Sequence, residues 1–282
     1  MKVLLISFSI LITLNAFSQN IHVDFYGGAA YYQGDLQNKR FNINQTKPAI
    51  GLGLSYDVTK RFIVRGAANY IKLIGSDEQK GDVKGTYFRN LRFNSNVLEA
   101  QLALEYNLLA IEDRGFTPYV FAGIAAFHFN PYVNDSAGNR VFLRSLATEG
   151  QGLTQYPDKK LYSNNQFAIP FGGGIKLALS DKLQVGIEVG LRKLFTDYLD
   201  DVSGTYADSS ILAGARGLQS AAFAYRGSEI PGTLGYPAEG SQRGNPKLKD
   251  LYYTVGLKVS YIISSSNGRK KKSGTGCPQN VY

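Results

Sequence analysis

The chain has 282 residues, 31 basic against 22 acidic, with 31 glycines, 19 tyrosines, 16 phenylalanines, one cysteine and no tryptophan. Its mean hydropathy of −0.17 excludes a helical membrane protein. A single cysteine excludes an internal disulfide framework, and the richness in glycine and aromatics favours one β domain.

The amino terminus reads as an export signal. Lys2 supplies a positive start, residues 3–14 are apolar, and Ala16-Phe17-Ser18 sets small residues at the cleavage-specifying positions. Residues 1–18 are therefore expected to be removed after Ser18, and the net charge of +9 falls to +8 with Lys2. No cysteine stands at the cleavage point, so a lipid-anchored amino terminus is not expected. No other segment reaches the length of about eighteen apolar residues that a membrane helix requires.

Eight segments then alternate apolar with small or polar residues, the period of a strand with one oily and one wet face. The first, 22–32, sets Val23, Phe25, Ala29 and Tyr31 against Asp24 and Tyr26. The second, 49–58, carries the run Ile50-Gly51-Leu52-Gly53-Leu54. The third, 62–73, turns Phe62, Val64, Ala68 and Tyr70 outward and Arg65 and Asn69 inward. In the fourth, 97–108, Leu98, Ala100, Leu102, Leu104 and Tyr106 alternate with Glu99, Gln101 and Glu105. The fifth, 118–129, is apolar on both faces, and its orientation stays open. The sixth, 167–179, opposes Ile169, Phe171, Ile175, Leu177 and Leu179 to Gly172, Gly174 and Lys176. The seventh, 183–194, opposes Val185, Ile187, Val189 and Leu191 to Gln184, Glu188 and Arg192. The eighth, 251–262, repeats the pattern through Val255, Leu257, Val259 and Tyr261, with Lys258 on the wet face.

Connector lengths alternate as well. Residues 59–61 and 180–182 are tight turns and 109–117 a short connector, whereas 33–48, 74–96, 130–166 and 196–250 are long. Short turns on one rim and long loops on the other characterise outer-membrane barrels, in which lipid offers nothing to an unpaired strand edge. The expected fold is all-β: an eight-stranded antiparallel transmembrane barrel over residues 19–264. A basic tail, 265–282, follows it, and both termini lie in the periplasm of a Gram-negative cell. The tail holds Arg269, Lys270, Lys271 and Lys272 together with Cys277, read as a solvated thiol.

Eight strands enclose a lumen that side chains nearly fill. Its expected charged lining (Arg65, Glu99, Glu105, Lys176, Glu188, Arg192 and Lys258) carries both signs and should neutralise itself, plugging the barrel. The inward glycines suit crowding around these long groups.

Catalytic readings fail on spacing. His22 and His128 fall at opposite ends of the barrel, too far apart for a dyad, and read as interfacial residues. The run Phe171-Gly172-Gly173-Gly174-Ile175-Lys176 lacks the Gly-Lys-Ser/Thr and the following helix of a phosphate loop. Asp197, Asp200 and Asp201 miss the spacing of a calcium loop and read as a solvated face. No zinc set or nucleophile elbow is present. No enzyme activity, cofactor, metal, small-molecule substrate or nucleic-acid partner is expected.

Five stretches in order carry a resemblance. They are 31–36 (Tyr31-Tyr32-Gln33-Gly34-Asp35-Leu36), 89–99 from Arg89-Asn90-Leu91 to Glu99, 118–123 from Pro118-Tyr119 to Gly123, 167–176, and 192–203 through Phe195-Thr196-Asp197-Tyr198-Leu199-Asp200-Asp201. Together they resemble the PorG family, outer-membrane barrel subunits of the type IX secretion system of Bacteroidetes. The resemblance implies a non-enzymatic anchor, embedded in outer-membrane lipid, that tethers the periplasmic ring of the secretion and gliding machinery. That ring is built from a lipoprotein and its partner. The expected partner surface is the short-turn rim: Lys60, Arg61, Glu112, Asp113, Arg114, Asp181, Lys182 and the tail's Arg269, Lys270, Lys271 and Lys272. Stretch 194–203 falls at the opposite rim, and the sequence leaves open whether it covers the mouth or meets a surface partner. Two other readings share the topology: an OmpA- or OmpX-like barrel with surface-binding loops, and a narrow diffusion pore.

Overall fold

The computed structural model describes residues 20–37, 45–77, 87–233 and 235–265. The signal segment, Cys277 and the run Arg269, Lys270, Lys271 and Lys272 lie outside the described residues. Eight long strands form the barrel: β1 (Asn20–Gln33), β2 (Lys47–Asp57), β3 (Phe62–Ser76), β4 (Arg92–Asn107), β5 (Phe116–His128), β8 (Asn165–Ala178), β9 (Leu183–Leu194) and β10 (Leu251–Ser265). A short hairpin of β6 (Tyr132–Asn134) and β7 (Arg140–Phe142) lies between β5 and β8. The order is β3-β2-β1-β10-β9-β8-β5-β4, and β3 pairs with β4 to close the cylinder. That seam runs unbroken from Phe62↔Tyr106 to Ser76↔Arg92. All neighbours are antiparallel. No barrel strand is left with a free edge, so each finds its hydrogen-bonding partners on the strands to either side.

Between its two rims the outward face is apolar. Leu52 is 63% exposed, Ile124 66% and Ile187 59%. Such a continuous apolar surface is untenable in water and is the face a bilayer covers. The fifth strand, apolar on both faces, resolves by register. Val120 and Ile124 face out, whereas Tyr119, Phe121, Ala125 and Phe127 face in and are buried.

Of the eight strands only β9 keeps the bounds expected from periodicity; the others shift by one to three residues at an end, and the largest departure is at β4. β4 starts at Arg92, five residues before the expected Val97, because its extension pairs with β3 and, through Asn94↔Tyr132, with β6. The β3–β4 hairpin thus rises above the rim on the long-loop side. On the other side the connector 109–117 folds into one helical turn, α1 (Ile111–Arg114), ended by Gly115 at φ 75°.

Where described, the long loops are folded. They contain the one-turn helix α2 (Leu143–Leu146), α3 (Ser209–Arg216) and α4 (Leu218–Ala224). Asp208 caps α3 by accepting from the Ser210 and Ile211 amides. Ala147, Leu153, Ala207, Leu212 and Ala224 form a small core of the loops' own. A larger one runs from the upper lumen into them, joining Tyr32, Phe93, Phe127, Phe129 and Tyr252 to Leu143, Leu199 and Val202. The interior therefore has two layers: charged toward the short turns and apolar toward the long loops.

Candidate functional site: the plugged lumen and its cap

Alternation carries one residue in two of every strand into the lumen, so charges from six different strands meet there. Glu105 on β4 is the hub. It receives Arg65 Nη1 at 3.1 Å, Lys176 Nζ at 2.5 Å and Lys258 Nζ at 3.3 Å. Arg65 also holds Glu188 at 2.6 Å, and the Tyr119 hydroxyl donates to Glu188 at 2.9 Å. Lys258 reaches Asp24 at 3.4 Å, and the Ser55 hydroxyl donates to Asp24 as well. A second group lies nearer the long loops. Arg192 pairs with Glu99 at 3.1 Å, and Glu99 also accepts from Asn69 at 2.8 Å and from the Tyr252 hydroxyl at 2.7 Å.

Counted over both groups, Arg65, Lys176, Arg192 and Lys258 face Asp24, Glu99, Glu105 and Glu188. The charges balance, as low dielectric requires of a buried set. The seven residues expected in the lining all sit in this network. Asp24, placed on the inner face by its alternation but left out of the charged set, completes the balance. Glycine makes room for the long groups: a methyl at Gly190 would fall 2.7 Å from Arg192 Nη1, and one at Gly174 2.8 Å from the Tyr119 hydroxyl. Beside Asp24, Tyr26, Arg65 and Gln101 a cavity of about 30 Å³ has room for one or two waters and for nothing larger.

His22 departs from the interfacial reading. It is 3% exposed, points into the short-turn end of the lumen and meets Asp57 at 3.0 Å. Its position at β1's inner face, with Asn20 donating to the same carboxylate at 3.0 Å, explains the burial. His128 is exposed at the far end, beside Asn165 at 2.8 Å.

The long loops lock together over the lumen through two buried arginines. Arg89, ahead of β4, holds Asp77 at 2.7 Å and donates to the Asp35 carbonyl at 2.9 Å and to the Arg243 carbonyl. Arg243, ahead of β10, pairs with Glu149 at 3.0 Å and donates to the Asp201 carbonyl at 2.5 Å and the Ala224 carbonyl at 3.1 Å. All four long loops are thereby stitched to one another.

Stretch 196–203 is the keystone, and it lies over the barrel mouth. Asp197, Asp200 and Asp201 are not a solvated face; all three are buried. The Tyr32 hydroxyl contacts Asp200 at 2.5 Å and Asp250 at 3.0 Å. Asp201 accepts from Thr148 at 2.5 Å and from the Tyr162 hydroxyl at 2.7 Å, and Ser203 donates to Asp197 at 2.7 Å. Tyr198 stacks on Tyr162 at 4.8 Å, which stacks on Phe129 at 6.1 Å, so an aromatic column links this stretch to the end of β5. The sequence signal for this burial was the density of tyrosines and aspartates itself: acids can be buried where hydroxyl donors of equal number are brought to them. Burial raises the Asp197 carboxyl from 3.8 to about 7. It raises Asp201 to about 6, with Arg243 opposing, and takes Asp200 and Asp250 well above the usual carboxylate range.

At the opposite rim Lys60 and Arg61, then Glu112, Asp113 and Arg114 of α1, and Asp181 and Lys182 all stand exposed on the short connectors. The structure brings these seven to one rim. Among the described residues no group of three or more His, Cys, Asp or Glu is arranged to hold a metal ion.

Glu105→Gln leaves three buried cations around a neutral amide and should cost about 3–5 kcal/mol of folding stability. Urea unfolding in lipid vesicles reads this, and Glu105→Gln with Lys176→Met should recover part of the loss; a cost no greater than that of a surface substitution contradicts the hub. In the cap, carboxyls whose folded pKa is raised add stability that is complete at acid pH and lost as pH rises through the folded value. Hydrogen exchange over 196–203, corrected for intrinsic rates, should therefore show protection falling between about pH 5 and about pH 8. Constant or rising protection would exclude protonated cap carboxyls.

No curated protein matches the chain. Among solved structures the fold is similar to that of Neisserial surface protein A, with 7% identity, 86% of this chain and 96% of that one covered, and a TM-score of 0.42. It is also similar to Ail, the attachment invasion locus protein of Yersinia pestis, with 6% identity, coverage of 87% and 99%, and a TM-score of 0.42. A major outer membrane protein of Thermus thermophilus gives 11% identity, coverage of 86% and 99%, and a TM-score of 0.41. The family model described as a domain of unknown function, DUF6089, matches residues 1–214, and the chain belongs to that family.

Proposed function

We propose that this protein is a non-conducting anchor in the outer membrane of a Gram-negative cell, with its termini and short turns in the periplasm. Its activity on this reading is binding at its rims, without catalysis or transport. The observation that carries it is the double seal: a balanced set of ion pairs fills the lower lumen, and an apolar layer with the stitched loops closes the upper part. A lumen so filled passes neither a folded cargo nor a hydrated ion.

The partner follows from the sequence resemblance to PorG-like barrels. The short-turn rim, with Lys60, Arg61, Glu112, Asp113, Arg114, Asp181 and Lys182, would hold the periplasmic ring of a type IX secretion machine, assisted by Arg269, Lys270, Lys271 and Lys272. Exposed groups of both signs on three neighbouring connectors support a polar docking surface.

A second reading has its own support. The cap has an independent core and a groove of about 1080 Å³ lined by Phe88, Tyr206, Tyr225 and Gln242. Those features suit a barrel that binds ligands at the cell surface.

Affinity capture of the tagged full-length protein from mild-detergent extracts of its own host separates the two. Recovery of periplasmic ring subunits, reduced when Lys60, Arg61 and Lys182 are changed to Glu, is the outcome expected of the anchor. Recovery of the barrel without them favours the surface-binding reading. Steady single-channel conductance in planar bilayers would overturn both.

A further inference from the structure

Alternation places about half of each barrel strand against lipid, and the charges on that face are unevenly distributed. Among the described residues only three outward-facing positions of the barrel strands carry Lys, Arg, Asp or Glu: Lys72 on β3, Arg92 on β4 and Lys193 on β9. All are basic and all lie toward the long-loop rim; every strand acid except the rim residue Asp57 is buried in the lumen network. Arg92 has a partner, Glu229, at 3.6 Å. Lys72 and Lys193 form no ion pair with a described residue, and their neighbours across the sheet are Asn96 for the first and Ile169 and Leu251 for the second.

The two lysines also share a height. Lys72 stands ten residues after Phe62, the first residue of β3, and Lys193 ten after Leu183, the first residue of β9. At about 3.3 Å per residue and a tilt of about 40°, that separation spans about 25 Å along the membrane normal, the height of an apolar barrel band. Both ammonium groups therefore emerge where the hydrocarbon ends. Below them the surface is apolar, with Tyr70 38% and Val189 41% exposed, and Phe167 and Phe195 flank Lys193. β3 and β9 lie on opposite sides of the ring. A lysine at this boundary keeps its stem on the apolar surface and its charge in the headgroup layer. Among the described residues the short-turn end has no outward strand charge; its exposed cations, Lys60, Arg61, Arg114 and Lys182, stand on the connectors.

We propose that Lys72 and Lys193 bind the phosphate groups of an anionic lipid in the leaflet at the long-loop rim, one site on each side of the barrel. This rests on the barrel spanning a bilayer and is independent of any partner at the short-turn rim. The attraction is electrostatic, at a surface where the acyl belt already holds the lipid in register.

Native mass spectrometry of the full-length protein in a non-ionic detergent, titrated with bisphosphorylated lipid A and with its dephosphorylated form, tests the proposal. The phosphorylated lipid should bind more tightly. Lys72→Gln and Lys193→Gln should each weaken one of the two bound lipids by about five-fold and leave the other unchanged, and the double variant should weaken both by about five-fold, with the dephosphorylated form unaffected. Lys60→Gln and Lys182→Gln, at the other rim, should leave binding unchanged. Heat-modified gel migration establishes that each variant is a folded barrel. Equal binding of both lipids, wild-type affinity in the Lys72 and Lys193 variants, or equal loss in the Lys60 and Lys182 variants would overturn it. Saturation of the same sites by inorganic phosphate alone would overturn the assignment to a lipid.

Discussion

The closing seam between β3 and β4 is the constraint on which the rest depends. With it the sheet has no edge, and each of the eight spanning strands is paired on both sides inside the protein. Closure also divides the side chains into two populations that cannot exchange. A residue either faces lipid, where charge is costly at mid-depth, or faces a lumen too narrow for bulk water. The inward acids and bases must then satisfy one another, and the geometry around Glu105 shows how tightly they do: one carboxylate serves three cations drawn from three strands.

Neutralising a lumen in this way fixes more than the barrel's interior. Ion pairs that cross the lumen tie strands distant around the ring, as Arg65 on β3 ties Glu188 on β9, so the cylinder resists ovalisation. Above the pairs the lining turns apolar and the loops descend onto it. Tyr32 and Tyr252 mark the transition: each packs in the apolar layer and extends its hydroxyl to a carboxylate, Asp200 or Asp250 for the first and Glu99 for the second. Loops fastened by Arg89 and Arg243 behave as one folded cap, unlike the independent mobile loops that a long connector suggests.

Much of the barrel was legible in period-two alternation, because lipid and lumen impose opposite demands on adjacent residues. The bounds of β9 and the inner faces of β3 and β4 follow from it directly. Four features were hidden for physical reasons. β5 is apolar on both faces because its inner residues join the apolar layer, as Ala125 and Phe127 do, or pack aromatic rings against the charges, as Phe121 does under Arg65, so alternation could not orient it. The extension of β4 before Val97 is stabilised by pairing with β3 and β6, a long-range effect that the local pattern of Arg92, Asn94 and Asn96 does not announce. Asp197, Asp200 and Asp201 read as solvated because isolated aspartates in a loop usually are; their donors Tyr32, Thr148, Tyr162 and Ser203 are mostly remote in sequence. His22 was misplaced for the same reason, its partner Asp57 lying on another strand.

The central claim is a closed cylinder with an apolar exterior and a sealed, self-neutralised interior. Spin labels placed singly along β4 from Leu98 to Glu105, in a chain with Cys277 changed to Ser and reconstituted in lipid, test it most directly. Collision with lipid-dissolved oxygen should be high at Leu98, Ala100, Leu102 and Leu104. At Ala103 and Gln101 the label should meet neither oxygen nor a water-soluble nickel chelate. Nickel access at those inward positions would reveal an open channel, and an accessibility profile without the two-residue period would contradict the barrel itself.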